Sequence, residues 1–303
     1  MQAATSIIRT EGLAMQFAGK AAINHLDLTL EPGITHAIVG ANGAGKSTLF
    51  RILLGFMQPS AGQAWILGCA SHALTPEMRG RIGFVNEEHS LPPWMRVEQL
   101  VDLQRSQYPR WRQPLYDDIV GHFDVGPRQR IAELSRGERA GVNLALSVAQ
   151  SPELLILDEP TLGLDVVAKR AFLEALMYST VDEQRSLIYC SHQMDEIERV
   201  ADNLVILERG TLRHISPPDQ FTDNIRYWIA EMPFRGPDPR SVPGLLEVQR
   251  IDGLHHYLVL DTDDSFGDFL KQHGARSMRS MPVSLDRAVN GFLAKGHRVP
   301  VAA

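Results

Sequence analysis

The sequence predicts an α/β fold around a buried, largely parallel sheet, with a phosphate-binding loop at the end of one strand. Two observations carry that expectation. The apolar run Thr35-His36-Ala37-Ile38-Val39 leads into Gly40-Ala41-Asn42-Gly43-Ala44-Gly45-Lys46-Ser47-Thr48, and Leu49-Phe50-Arg51-Ile52-Leu53-Leu54 leads out, which is the order strand, glycine-rich loop, helix. The runs Leu154-Leu155-Ile156-Leu157 and Ser186-Leu187-Ile188-Tyr189-Cys190 have the profile of strands buried on both faces. They deliver Asp158-Glu159 and Ser191-His192 at their carboxyl ends, where parallel α/β sheets bind ligands.

Composition sets the bounds. A chain of 303 residues is long enough for one large domain and a small one. Its 44% hydrophobic and 22% charged content is ordinary for a globular protein, and a net charge of −6 gives no overall basic field for nucleic acid. Cys69 and Cys190 show no metal spacing and fit a reducing compartment. Residues 52–76 carry no Asp, Glu, Lys or Arg, but Gln58, Pro59, Ser60, Gly62 and His72 interrupt them, so they do not read as a membrane span. The N-terminus shows no secretory signal pattern, and any membrane part is expected on another chain.

In chain order, residues 7–15 and 23–30 read as strands, the second closing at the Pro32-Gly33 turn. Phe17 lies between them and can either stack on an adenine ring or simply end a strand. In the loop, glycines at 40, 43 and 45 let the backbone turn its N–H groups inward, and the helix that follows points its unpaired amides at the same hollow. Lys46 can then reach a β- or γ-phosphate, and the Ser47 hydroxyl can bind Mg²⁺.

Residues 61–67 and 81–85 are the next expected strands, the latter running into the polar cluster Asn86-Glu87-Glu88-His89. Leu91-Pro92-Pro93-Trp94-Met95 cannot form a regular helix and suits either a core or a docking surface. Helical segments over 97–107 and 114–123, punctuated by Pro109, Gly121 and Pro127, predict a subdomain of short helices. A longer helix opens at Leu134-Ser135-Arg136-Gly137-Glu138. Ser135 with Glu138 three residues on is a capping-box pattern, and the same N-terminus can donate to an anion. Asp158 is placed to hold Mg²⁺, Glu159 to orient or deprotonate a water, and His192 to touch a phosphate. Residues 162–165 form a tight turn ending at Asp165, followed by a helix over 166–179.

The character changes at Ser216-Pro217-Pro218. Residues 216–240 read as a linker and 241–303 as a small α+β domain: a hairpin of 245–251 and 256–260 about Asp252-Gly253, then helices over 264–273 and 284–294, with Ser284 as N-cap. His255 and His256 point to opposite faces of a strand, so they read as surface residues and not as a metal pair.

The ordered set of motifs resembles an ABC-type ATPase of the P-loop NTPase fold. Residues 40–48 resemble its Walker A motif, 134–138 its signature, 154–159 its Walker B motif, 162–165 its D-loop and His192 its H-loop. The likeness spans about residues 5–215, with a β-rich N-terminal subdomain and a helical subdomain at about 88–140. It implies ATP and Mg²⁺ held between two subunits facing head to tail, in a homodimer or heterodimer. Ser135, Gly137 and Glu138 of one subunit would face the γ-phosphate on the other, with Glu159 as catalytic base, His192 on the γ-phosphate and Phe17 on the adenine. It further implies an ATPase subunit on the inner face of the cell membrane, bound to a separate integral membrane permease through residues 91–95 and similar to bacterial drug-export ATPases. A soluble ABC ATPase acting on ribosomes or DNA, and a weakly hydrolysing regulatory module, are the alternatives. Three positions depart from the pattern. Glu87 stands where the family has Gln, keeping an oxygen for Mg²⁺ or water but losing the amide donors. Arg136 replaces Gly, and Glu138 replaces Gln.

Overall fold

The computed structural model describes residues 6–180, 185–233, 236–261 and 265–294. In chain order the first elements are β1 (Ile8–Phe17), β2 (Lys20–Leu30), β3 (Thr35–Val39), α1 (Lys46–Leu53), β4 (Ala61–Ile66), β5 (Cys69–Ala70), α2 (Pro76–Arg79), β6 (Ile82–Val85), α3 (Val97–Gln107), α4 (Gln113–Val120) and α5 (Arg136–Ala149). Next come β7 (Leu154–Asp158), α6 (Val166–Thr180), β8 (Ser186–Cys190), α7 (Met194–Val200), β9 (Asn203–Glu208) and β10 (Thr211–Ser216). They build two sheets: an outer one of order β2-β1-β4-β5, and a central one of order β10-β9-β3-β8-β7-β6.

The central pairs β3–β8, β3–β9, β6–β7 and β7–β8 are all parallel. Their register places Ile38 and Asp158 beside Cys190, and Val85 beside Leu157. The carboxyl ends of β3, β6, β7 and β8 therefore lie at one level. Period-two alternation divides their side chains between two apolar layers. Ile38, Ile156 and Ile188 pack with Leu49 and Phe50 of α1, whereas Leu155, Leu157, Leu187 and Tyr189 pack with Leu144 of α5 and Phe172 of α6. With both faces covered, the strands read as continuous apolar runs. Truncating a core side chain such as Leu155 to Ala in such a layer costs about 2–5 kcal/mol.

The chain separates into two compact units, Met1–His192 with Arg199–Ile215, and Gln193–Glu198 with Ser216–Ala303. The second contains α8 (Pro218–Asp223), β11 (Ile225–Glu231), β12 (Leu245–Ile251), β13 (Leu254–Leu260), α9 (Phe266–Gln272), β14 (Ser277–Met281) and α10 (Leu285–Ala294). Its sheet order is β12-β13-β11-β14. The expected hairpin is present as β12–β13 about Asp252-Gly253. Ser284 caps α10, its Oγ accepting from Arg287 N at 3.4 Å. The expected start of the preceding helix at residue 264 lies outside the described residues.

Two expectations are corrected here. The 216–240 stretch is not a plain linker, because β11 pairs with both β13 and β14 and so lies inside the sheet. His255 is not a surface residue, being 7% exposed and stacked on Tyr257 with ring centroids 6.0 Å apart. Its face of the sheet carries Tyr257 and Val259, which pack with Phe266 and Leu270 of α9. On the opposite face the Leu258 side chain lies against Gly291 of α10. Both faces are covered, so alternation alone exposes neither histidine.

Candidate functional site

The loop after β3 wraps an open hollow of about 200 Å³ lined by residues 42–48, Glu87, Asp158 and Glu159. Gly40 opens the loop and Ala41 accepts the turn bond from Ala44 N at 2.9 Å. Gly45, the N-cap of α1, has φ +100, and a Cβ there would stand 2.4 Å from the Ala22 carbonyl oxygen. Only glycine meets both demands. Lys46 is buried on the first turn of α1 and its Nζ donates to Gly40 O at 2.6 Å, so its charge is held at the mouth of the loop. Ser47 is exposed beside it.

Across the hollow stand the residues at the end of β7. Asp158 Oδ1 is buried without a hydrogen-bond partner. Such an orphan oxygen is costly unless a ligand supplies its partner, and with the Ser47 hydroxyl it fits the few protein oxygens that Mg²⁺ takes beside phosphate and water. Glu159 has φ +51, and its N–H donates to Cys190 O at 2.9 Å, which fixes its backbone against β8. His192 Nδ1 donates to Glu159 Oε2 at 2.8 Å. The geometry joins a carboxylate that can accept a proton from water to a histidine that orients it. Burial pushes the neighbouring Cys190 thiol well up, so it is inert.

The remaining expected residues lie elsewhere. Phe17 is 44% exposed at the end of β1 and does not line the hollow. At the start of α5, Ser135 Oγ accepts from Glu138 N at 3.2 Å, and Glu138 Oε2 accepts from Ser135 N at 2.7 Å. The capping box is therefore real, and neither residue faces the hollow of its own chain. A Cβ on Gly137 would come within 2.6 Å of Ala168 Cβ, so small size there sets the approach of α5 to α6. Asp165 caps α6, its Oδ1 accepting from Val167 N and Ala168 N, both at 2.9 Å.

Within 91–95 the chain divides its apolar side chains. Leu91 and Met95 pack against the core layer under α5, while Trp94 is 77% exposed. Backbone bonds from Ile131 N to Met95 O and from Ala132 N to Pro93 O hold the segment in place. His89 escaped the sequence reading altogether. It sits in a polar cluster, yet it is fully buried, and burial with the nearby Arg136 and Arg139 charges lowers its pKa to about 4. Nothing in the pattern Asn86-Glu87-Glu88-His89 marks one of four polar residues as core.

Fold and site together define an ATP-binding cassette. The sequence profile described as "ABC transporter" matches residues 23–162. The chain is 30% identical to the putrescine transport ATP-binding protein PotG of Escherichia coli (strain K12) over 96% of its own length and 79% of that protein's. It is 32% identical to the Nod factor export ATP-binding protein I of Rhizobium johnstonii over 66% of its length, and spans 65% of that relative's. A solved structure of an ATP-binding subunit of an ABC transporter superposes over 72% of this chain and 92% of its own with a TM-score of 0.63, at 24% identity. This chain belongs to the ATP-binding subunits of ABC transporters, a family of ATPases.

Proposed function

We propose that this chain binds and hydrolyses ATP as one half of a head-to-tail dimer, and that a separate integral membrane permease uses the cycle to move cargo, in the export direction. The observation that carries the hydrolytic part is that Glu159, bonded to His192, lines the same hollow as Lys46 and Asp158, whose buried Oδ1 has no partner. Gly40 to Thr48 would hold the phosphates, and Ser47 with Asp158 would hold Mg²⁺, which supplies charge neutralisation when bound. Glu159 takes the proton of the attacking water, and His192 keeps that carboxylate aimed. Glu87 adds an oxygen to the lining of the hollow. Ser135, Gly137 and Glu138, turned away from their own loop, serve the partner's nucleotide, and Phe17 stacks on the adenine.

A permease is proposed because Trp94 stands exposed on a segment anchored by Leu91 and Met95, the arrangement of an aromatic anchor awaiting a pocket. Among the described residues no helix is long and apolar enough to cross a membrane, so the span would come from another chain. Export is supported by the name of the Nod factor relative. The test is Trp94→Ala. Loss of an exposed side chain changes stability by less than about 0.5 kcal/mol. The variant should fold, turn over ATP as a purified subunit, and no longer co-sediment with membranes. Unchanged membrane association removes this segment as the dock.

A further inference from the structure

His89 ties two parts of the site that the sequence separates by seventy residues. It follows Glu87 by two positions on the loop after β6, and its Nε2 lies 2.8 Å from the carbonyl oxygen of Pro160, the residue after Glu159. That carbonyl can only accept, so Nε2 carries the proton and donates. Nδ1 faces Asn143 Nδ2 of α5 at 3.5 Å, and the ring lies 6.4 Å from that of Phe172 of α6. The backbone at His89 has φ +46, a conformation that side chains adopt only when their surroundings hold them there. The same loop has a second tie. Arg136 Nη2 donates to Glu87 O at 3.1 Å, and its guanidinium lies against Gly163, where a Cβ would stand 2.9 Å from Cζ. The residue that departs from the family's signature glycine is therefore engaged within its own chain.

We infer that His89 is a positioning residue for hydrolysis: its bond to the Pro160 carbonyl fixes the Glu87 loop against the turn that carries Glu159, while Arg136 holds the same loop from the start of α5. The inference rests on the reading of Glu159 as the base. A displacement of about 1 Å at a reacting group can cost a hundredfold in rate, so a single buried strut between the two carboxylates bears on turnover without touching nucleotide.

Two substitutions separate this role from simple core filling. Asn tolerates the left-handed backbone well but is too short to reach Pro160. Gln fits that backbone less well, yet its amide can span the gap and donate. On the purified full-length chain, His89→Asn should lower kcat about tenfold or more, with KM for ATP and the affinity for a fluorescent ATP analogue within about threefold of wild type. His89→Gln should recover most of kcat even where its Tm is the lower of the two. Wild-type kcat in His89→Asn, or kcat that follows Tm across both variants, overturns the inference. If neither variant folds, amide hydrogen exchange on the wild-type chain decides it. Segments 86–90 and 159–163 should share one protection factor, and independent opening of the two overturns the strut. Glu159→Gln measured alongside keeps the two readings apart, since near-normal turnover there removes the base whatever His89 does.

Discussion

Glu159 meets three constraints at once: a left-handed backbone, an N–H held by β8, and a carboxylate held by His192. Each of these aims the side chain. Glu159→Gln should therefore keep ATP affinity, slow hydrolysis by about 10² to 10⁴, and accumulate an ATP-bound dimer in gel filtration. Turnover near wild type would take Glu159 out of the chemistry. A second residue-scale prediction concerns acid stability. His36 on β3 is fully buried, with Nε2 2.9 Å from Glu31 O. Burial lowers its pKa below 6.5, and the Glu31 carbonyl bond and the Glu31 and Asp202 charges only partly oppose this. The unfolded chain then binds the proton that the folded chain refuses, so stability rises with pH across that window. The contribution is present above about pH 6.5 and is lost as pH falls toward the lowered folded value. Urea unfolding at pH 7.5 and 5 should show the drop, and His36→Gln should make it smaller.

At the scale of elements, α5 and α6 start in contact, and Gly137 is the reason. Gly137→Ala gains up to about 1 kcal/mol of helix propensity, but overpacking against Ala168 costs about 1–3 kcal/mol. The clash should win and lower Tm, and Ala168→Gly in the same chain should restore it beyond additivity. A Tm unchanged by Gly137→Ala would mean the two helices separate freely. The elements also show what the sequence could express. β7 and β8 were legible because both of their faces are buried and residues 154–157 and 187–190 form unbroken apolar runs. The Ser135–Glu138 box was legible because capping is a local rule. β11 was not, because Pro217-Pro218, Pro233 and Gly236-Pro237-Asp238-Pro239 surround Ile225-Arg226-Tyr227-Trp228-Ile229-Ala230-Glu231 and outweigh its pattern. β14, Ser277-Met278-Arg279-Ser280-Met281, is an exposed edge strand with little apolar content, so only its pairing reveals it. His89 and His255 share one cause: burial of a polar residue is decided by distant chain, which no local pattern records.

For the whole molecule, the hollow of one chain is lined by the loop after β3, Glu87, Asp158 and Glu159, and not by Ser135, Gly137 or Glu138 at the start of α5. A head-to-tail pair would complete it. A Lys46→Ala chain mixed with a Ser135→Arg chain yields one composite site with Lys46 and Ser135 both intact and another doubly damaged. ATP-dependent dimerisation, absent from each alone, should partly return in the mixture. Mutants that dimerise singly as well as wild type would sink the shared-site reading.

The sheet order of the second unit also has a consequence for synthesis. β11 is the first strand of that sheet to leave the ribosome, yet both of its neighbours, β13 and β14, come later in the chain. Until Ser277–Met281 has emerged, one edge of Ile225–Glu231 offers unpaired N–H and C=O groups, together with Tyr227 and Trp228, to any passing strand. Nascent chains stalled before β14 should thus be the aggregation-prone species, whereas a chain that stops at Ile215 never presents that edge at all.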